Sequence, residues 1–194
     1  MKKDRLTHHQ LSGSAGKIWR LFLTGPIGCG KSTAIRRALG DQLPRCGGFL
    51  TRRYREPHLH FTVESPDGKY RKTFLDFSSG KPETDLLVFS EISLTGKALI
   101  LDEIGGIELL DPVFSGALET LLHSDTPILG VIKAEGSADI LAETLGLSEE
   151  YRRVSSRLRK QLETDPGTLV YQCGLYDETA LLLARQWVED HLHD

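Results

Sequence analysis

A chain of 194 residues with 39% apolar and 26% charged residues is sized and composed for one soluble domain with a continuous core. Its formal net charge of −3 gives no global reason to expect nucleic acid or an anionic membrane as the main partner, since those surfaces select strongly basic domains. The opening residues carry charge, His8, His9 and Gly/Ser but no signal-peptide core, and no later stretch approaches the length of a membrane span. The expectation is a cytoplasmic protein with a flexible N-terminal tail at 1–16 and a single domain at 17–194. Cys29, Cys46 and Cys173 are too scattered for a Cys-x-x-Cys site, and an odd number argues for reduced thiols.

In chain order, Ile18–Thr24 is an apolar run that ends at a glycine-rich turn, the pattern of a buried strand, and Thr33–Leu39 reads as a helix stopped by Gly40. A strand is predicted at Gly48–Arg52. The alternating segments His58–Glu64 and Tyr70–Phe77 flank Pro66-Asp67-Gly68 and read as a β-hairpin. Pro82–Leu94 has helical apolar spacing, Ala98–Leu101 is a continuous apolar strand, and Glu108–Leu122 is an amphipathic segment interrupted near its start by Pro112. Ile128–Ile132 and Thr168–Gln172 read as strands, and Ala138–Leu145, Glu149–Glu163 and Asp177–His191 as helices. The alternation predicts an α/β fold of three layers: a mostly parallel sheet, helices on both faces, and a β-hairpin insertion.

Gly25-Pro26-Ile27-Gly28-Cys29-Gly30-Lys31-Ser32-Thr33 satisfies the pattern GxxxxGK[ST] and lies between a predicted buried strand and a predicted helix, as a P-loop requires. Glycines let successive N–H groups turn inward, and the following helix adds partial positive charge, so the loop cradles a polyanion. Lys31 is expected to reach the β- and γ-phosphates of a nucleoside triphosphate, the Ser32 hydroxyl to be a ligand of Mg²⁺, and Thr33 to support the α-phosphate. Cys29 reads as a small spacer, although a helix N-terminus can also activate a thiol.

Ala98-Leu99-Ile100-Leu101-Asp102-Glu103 is an apolar strand that delivers two carboxylates at its C-terminal end, the edge where ligands collect on an open α/β sheet. Asp102 fits the acid that holds Mg²⁺, and Glu103 the group that polarises an attacking water. Asp102-Glu103-Ile104-Gly105 also matches the Asp-x-x-Gly of nucleotide switches. The sequence contains no asparagine, so guanine selection through Asn-Lys-x-Asp is excluded.

The phosphate loop, Gly48-Phe49-Leu50-Thr51, Asp102-Glu103-Ile104-Gly105-x-x-Glu108-Leu109 and Ile128-Leu129-Gly130-Val131-Ile132 occur in the order found in THEP-type nucleoside triphosphatases, which the chain resembles from the first strand to the last helix. The resemblance implies a P-loop fold and Mg²⁺-dependent hydrolysis of ATP, GTP and other nucleoside triphosphates to diphosphate and phosphate, with modest base discrimination. Members of that family commonly carry Thr-Glu-Glu-x-Arg, whereas this chain has Thr51-Arg52-Arg53-Tyr54-Arg55. Some carry a lysine where Gly106 stands.

Arg55, in the segment with Arg52 and Arg53, is the candidate arginine finger for charge on the transferring phosphoryl group. Arg152, Arg153, Arg157, Arg159 and Lys160 form a basic stretch that reads either as a solvated helix face or as a lid over the phosphates. His58 and His60 share one strand face without a third metal ligand at useful spacing. Hydrolysis by Glu103 is the leading expectation. The alternatives are phosphoryl transfer to a nucleoside or other small acceptor, with the hairpin as a wall of the acceptor pocket, and a nucleotide-gated partner-binding module.

Overall fold

Alternation within the short apolar runs decides which side of the sheet each helix covers. In Arg20–Thr24 (β1), Phe22 packs on one face while Leu21 and Leu23 pack on the other. Leu99–Ile104 (β6) and Ile128–Ile132 (β7) divide the same way, with Leu99, Leu101 and Ile128 on the Phe22 side and Ile100, Leu129 and Val131 opposite. Strand side chains point alternately to the two faces, so a sheet covered on both sides needs apolar residues at nearly every position.

The computed structural model describes residues 17–175 and 177–192. The expected tail at 1–16 lies outside the described residues. Besides β1, β6 and β7, the strands are Gly47–Tyr54 (β2), His60–Glu64 (β3), Arg71–Asp76 (β4), Glu83–Thr84 (β5) and Thr168–Gln172 (β8). They form one eight-stranded sheet in the order β5-β4-β3-β2-β6-β7-β1-β8. Strands β2, β6, β7, β1 and β8 run parallel to their neighbours in that block, while β3, β4 and β5 extend it through antiparallel pairing. The expected hairpin is thus a continuation of the main sheet, placed beyond β2.

Helices Lys31–Leu39 (α1) and Glu178–Leu192 (α6) cover one face through Ile35, Leu39, Ala184 and Val188. The other face is covered by Leu87–Ser90 (α2), Pro112–Leu122 (α3) and Glu149–Thr164 (α5), while Glu135–Leu145 (α4) packs beside it. Each fully buried leucine or isoleucine contributes roughly 1.5–3 kcal/mol. Among the described residues, no helix is long and apolar enough to cross a membrane.

Two expectations are corrected. Pro82–Leu94 is not one helix: Glu83–Thr84 joins the sheet edge beside Leu75 and Asp76, and only the four-residue α2 follows, its Leu87 amide donating to Asp85 Oδ1 at 3.1 Å. Val88, Phe89 and Ile92 are buried, so their spacing records a plug for the core, which overrides the helical pattern. Pro112 does not interrupt a helix but begins one, with Asp111 as the N-cap accepting from the Val113 amide at 2.9 Å.

His191 fastens α6 to the start of β1, hydrogen-bonding the Ile18 carbonyl at 2.8 Å between the rings of Trp19 and Trp187. Burial lowers its pKa below the ordinary 6.5. Below that value the unfolded chain takes up the proton more readily than the folded one, so this residue's contribution is complete above pH 6.5 and lost as pH falls through it toward the folded pKa. Thermal midpoints followed by tryptophan fluorescence are expected to fall from about pH 7.5 to about pH 5.5, and to fall less in His191→Gln.

Candidate functional site

The parallel order brings the C-terminal ends of β1, β6 and β7 to one edge, and the polar residues of those ends meet there. The loop after β1 runs Gly25 to Gly30 and turns into α1 at Lys31. Gly25 has a φ of 138°, and a Cβ on it would stand 2.5 Å from the Cys173 carbonyl oxygen, so the loop leaves β1 at a spacing only glycine permits. Gly30 is the N-cap of α1 in a left-handed conformation, and no side chain caps the first amides. Those free N–H groups and the helix dipole suit an anion.

Lys31 Nζ donates to the carbonyls of Gly25 at 2.9 Å and Pro26 at 2.8 Å, which holds the ammonium across the loop. Cys29 is buried, with its sulfur 3.6 Å from Lys31 Nζ. Pro26, Ile27 and Gly28 form the exposed crest of the loop, and Thr33 is exposed on the first turn of α1.

Ser32, on the same turn, donates from its hydroxyl to Asp102 Oδ1 at 2.8 Å. Asp102 has the strand parity of Ala98 and Ile100, which pack on the α1 side, and this is why its carboxylate meets α1. The residue is 0% exposed, and burial pushes its pKa up to about 6 against the opposing pull of the Ser32 hydroxyl and the Arg36 guanidinium. Among the described residues Oδ2 has no hydrogen-bond partner, and Arg36 Nη2 lies 3.7 Å from it. A buried carboxylate oxygen without a donor beside a serine hydroxyl fits a hard divalent cation that takes few protein ligands and keeps its waters.

Glu103 departs from β geometry with a φ of 75°, the sole positive φ outside glycine among the described residues, at an irregularity in the β6–β7 register. Its side chain is 37% exposed and receives an ion pair from Lys133, Nζ to Oε1, at 2.8 Å. Lys133 directly follows β7 and hydrogen-bonds from its amide to the Ile104 carbonyl. Gly106 leaves it room, because a Cβ there would stand 2.9 Å from Lys133 Cε.

The turn after Glu103 is fixed from within. Glu108, buried, accepts from the amides of Gly105 at 2.6 Å and Gly106 at 2.8 Å through one oxygen, Oε1. Burial raises its pKa, with the amides and Lys133 acting against the rise. From α5, the Tyr151 hydroxyl donates to the Gly105 carbonyl at 2.9 Å and Ser155 to the same oxygen at 3.3 Å.

The arginines separate by position. Arg52 pairs with Glu64 at 2.8 Å, Arg53 lies over the Phe61 ring at 5.7 Å, and Arg55 is exposed beyond β2 without a hydrogen bond or ion pair among the described residues. Arg159 reaches in from α5, donating from Nη2 to Thr24 Oγ1 at the end of β1 and to the Lys133 carbonyl. With Arg152, Arg153, Arg157 and Lys160 it lines a cavity of about 530 Å³ that also touches Lys133. His58 pairs with Asp76 at 3.2 Å and His60 stacks on Tyr54.

Residues 20–163 match the family described as NTPase. The chain belongs to this NTPase family. The nucleoside-triphosphatase THEP1 of Thermotoga petrophila is 32% identical over 129 residues, covering 59% of this chain and 72% of that protein. The THEP1 of Thermotoga maritima is 29% identical over 129 residues, covering 59% and 74%. The crystal structure of THEP1 from Aquifex aeolicus has the same fold, with a TM-score of 0.59 at 17% identity over 90% of this chain and 99% of the other. Family membership makes this NTPase a nucleoside-triphosphate hydrolase. Nothing local in the sequence marks Lys133, a single charge after an apolar run, yet the strand-end rule that singles out Asp102 and Glu103 applies equally to the end of β7.

Since both glycine amides use one oxygen of Glu108, glutamine can keep both bonds. Glu108→Ala is expected to cost about 2–3 kcal/mol by orphaning two buried donors, a fall of roughly 4–12 °C in thermal midpoint. Glu108→Gln is expected to cost less than about 1 kcal/mol. Calorimetry on the two variants distinguishes the outcomes.

Proposed function

We propose that this NTPase hydrolyses ATP, GTP and other nucleoside triphosphates at the edge formed by the loop after β1 and the ends of β6 and β7, with Mg²⁺ and little preference for the base. The observation that carries the reading is Glu103, held at a positive φ and gripped by Lys133 beside the Ser32–Asp102 hydrogen bond. The loop amides and Lys31 bind the phosphate tail, and Ser32 and Asp102 hold the cation. Mg²⁺ held by Ser32 and Asp102 would supply positive charge against that of the β- and γ-phosphates. Glu103 orients a water for attack on the γ-phosphorus and accepts its proton. Lys133 sets the carboxylate's direction and supplies positive charge near the transferring phosphoryl group.

Broad base use is supported by the absence of an Asn-Lys-x-Asp reader and by phosphate recognition through backbone and short side chains. Arg159 competes with Arg55 for the role of charge-stabilising arginine, because it already touches Thr24 and the Lys133 carbonyl. Three scattered, buried free cysteines support a cytoplasmic setting.

Phosphate release from a nucleotide panel is expected to need Mg²⁺ and to stop on chelation. Glu103→Gln is expected to lower kcat by about 10²–10⁴-fold while nucleotide affinity stays within about threefold. Lys31→Ala is expected to weaken nucleotide binding itself. Full turnover in Glu103→Gln would remove the assignment. In Lys133→Met, kcat is expected to fall by roughly 10–10³-fold with KM little changed, the pattern of a group acting on the transition state.

A further inference from the structure

A second cavity, of about 420 Å³, is lined in part by Glu103. Its walls are phenylalanines brought together by the sheet extension: Phe49 from β2, Phe61 from β3, Phe74 from β4, Phe77 just after it, and Phe89 from α2. The lining also carries polar groups, among them Ser32, Glu103 and Lys133. The lining also includes Ile27 on the phosphate loop and Ile140 on α4, exposed at 74% and 66% respectively, two of the large apolar side chains the fold leaves in water. A triphosphate tail has no use for phenylalanine walls, and neither does water as a nucleophile. An apolar chamber of this size with a few convergent polar groups is the form small-molecule sites take.

The sheet order fixes its relation to the phosphates. The phosphate loop follows β1, while the chamber is built on β2, β3 and β4, beyond β6 in the order β4-β3-β2-β6-β7-β1. Glu103, at the end of β6, therefore lies between the two. A molecule seated among the rings with an O–H beside Glu103 presents that hydroxyl where the attacking water is assigned.

Building on the hydrolytic reading above, we propose that the chamber seats a small alcohol with an apolar, ring-sized body and that the enzyme transfers the γ-phosphoryl group to it. The hydroxyl oxygen bonds to the γ-phosphorus, the bond from that phosphorus to the β–γ bridging oxygen breaks, the nucleoside diphosphate leaves, and Glu103 takes the hydroxyl proton and passes it to solvent. The rings hold the body by face and edge contacts, and the cations of Arg53 and Lys133 offset charge at the rim. Water fills the same position when no alcohol is present, so hydrolysis and transfer share one machinery.

The test uses the full-length enzyme with Mg²⁺, ATP labelled in the γ-phosphate, and three probes: 2-phenylethanol, 2-(2-naphthyl)ethanol, and 2-ethylnaphthalene, which lacks the hydroxyl. Label is expected in a phosphomonoester with the alcohols and not with the hydrocarbon, which acts as a competitor of the alcohols. Ile140→Arg places a charge at an apolar wall and is expected to lower the ratio of ester to free phosphate at least about tenfold. Free phosphate with no ester from either alcohol overturns the proposal and leaves the hydrolytic reading standing, whereas neither product from ATP overturns the hydrolytic reading. Ester formed at an unchanged ratio in Ile140→Arg, or alcohols that compete with ATP for binding, also overturns it, the latter because the chamber would then be the seat of the nucleotide base.

Discussion

The hydrogen bond between Ser32 and Asp102 joins the first turn of α1 to β6, 70 residues apart in sequence, and the site is assembled around it. A wholly buried carboxylate is costly to ionise, and a single hydroxyl bond with a guanidinium 3.7 Å away compensates it only in part, which is why its pKa rises. The arrangement is costly as pure scaffolding and sensible as one half of a cation site. From that fixed point the neighbouring strand positions follow: one residue later the chain turns to positive φ and Glu103 emerges toward Lys133, partly exposed to water.

The phosphate loop is legible in the sequence because its chemistry is backbone chemistry, and backbone chemistry demands glycine at fixed intervals. Asp102 and Glu103 are legible because they follow an apolar strand. Lys133 obeys the same rule but lacks a motif, and nothing local tells a strand-end lysine from a solvated one. The five phenylalanines around the second cavity are invisible for a different reason: each is explained as a core residue by its own strand or helix. Only the antiparallel extension beyond β2 makes them converge. Pro82–Leu94 misleads because a short plug of buried side chains can imitate helical spacing.

The basic helix α5 combines the two readings its sequence permits. Arg153, Arg157 and Lys160 are exposed, as a solvated face would be, while Tyr151, Ser155 and Arg159 turn inward and hold the Gly105 turn and the end of β1. Because α5 fixes the same turn that carries Glu103, movement of the helix and orientation of the carboxylate are mechanically linked.

That turn also bears on the resemblance of Asp102-Glu103-Ile104-Gly105 to a nucleotide switch. A switch glycine needs an amide free to bond the γ-phosphate and to release it after hydrolysis. Here the Gly105 amide is committed to Glu108 at 2.6 Å, and the Gly105 carbonyl to Tyr151. A γ-phosphate would have to displace a buried carboxylate, and that carboxylate would then lose both its donors in an apolar setting. Hydrogen bonds to charged groups contribute about 1.5–3 kcal/mol each, so two of them oppose the exchange with a penalty of about 3–6 kcal/mol, above the roughly 1–3 kcal/mol of typical allosteric coupling. Glu108 occupies the position a phosphate would need. The turn behaves as a brace for Glu103, which favours chemistry at a fixed site over signalling by a moving one.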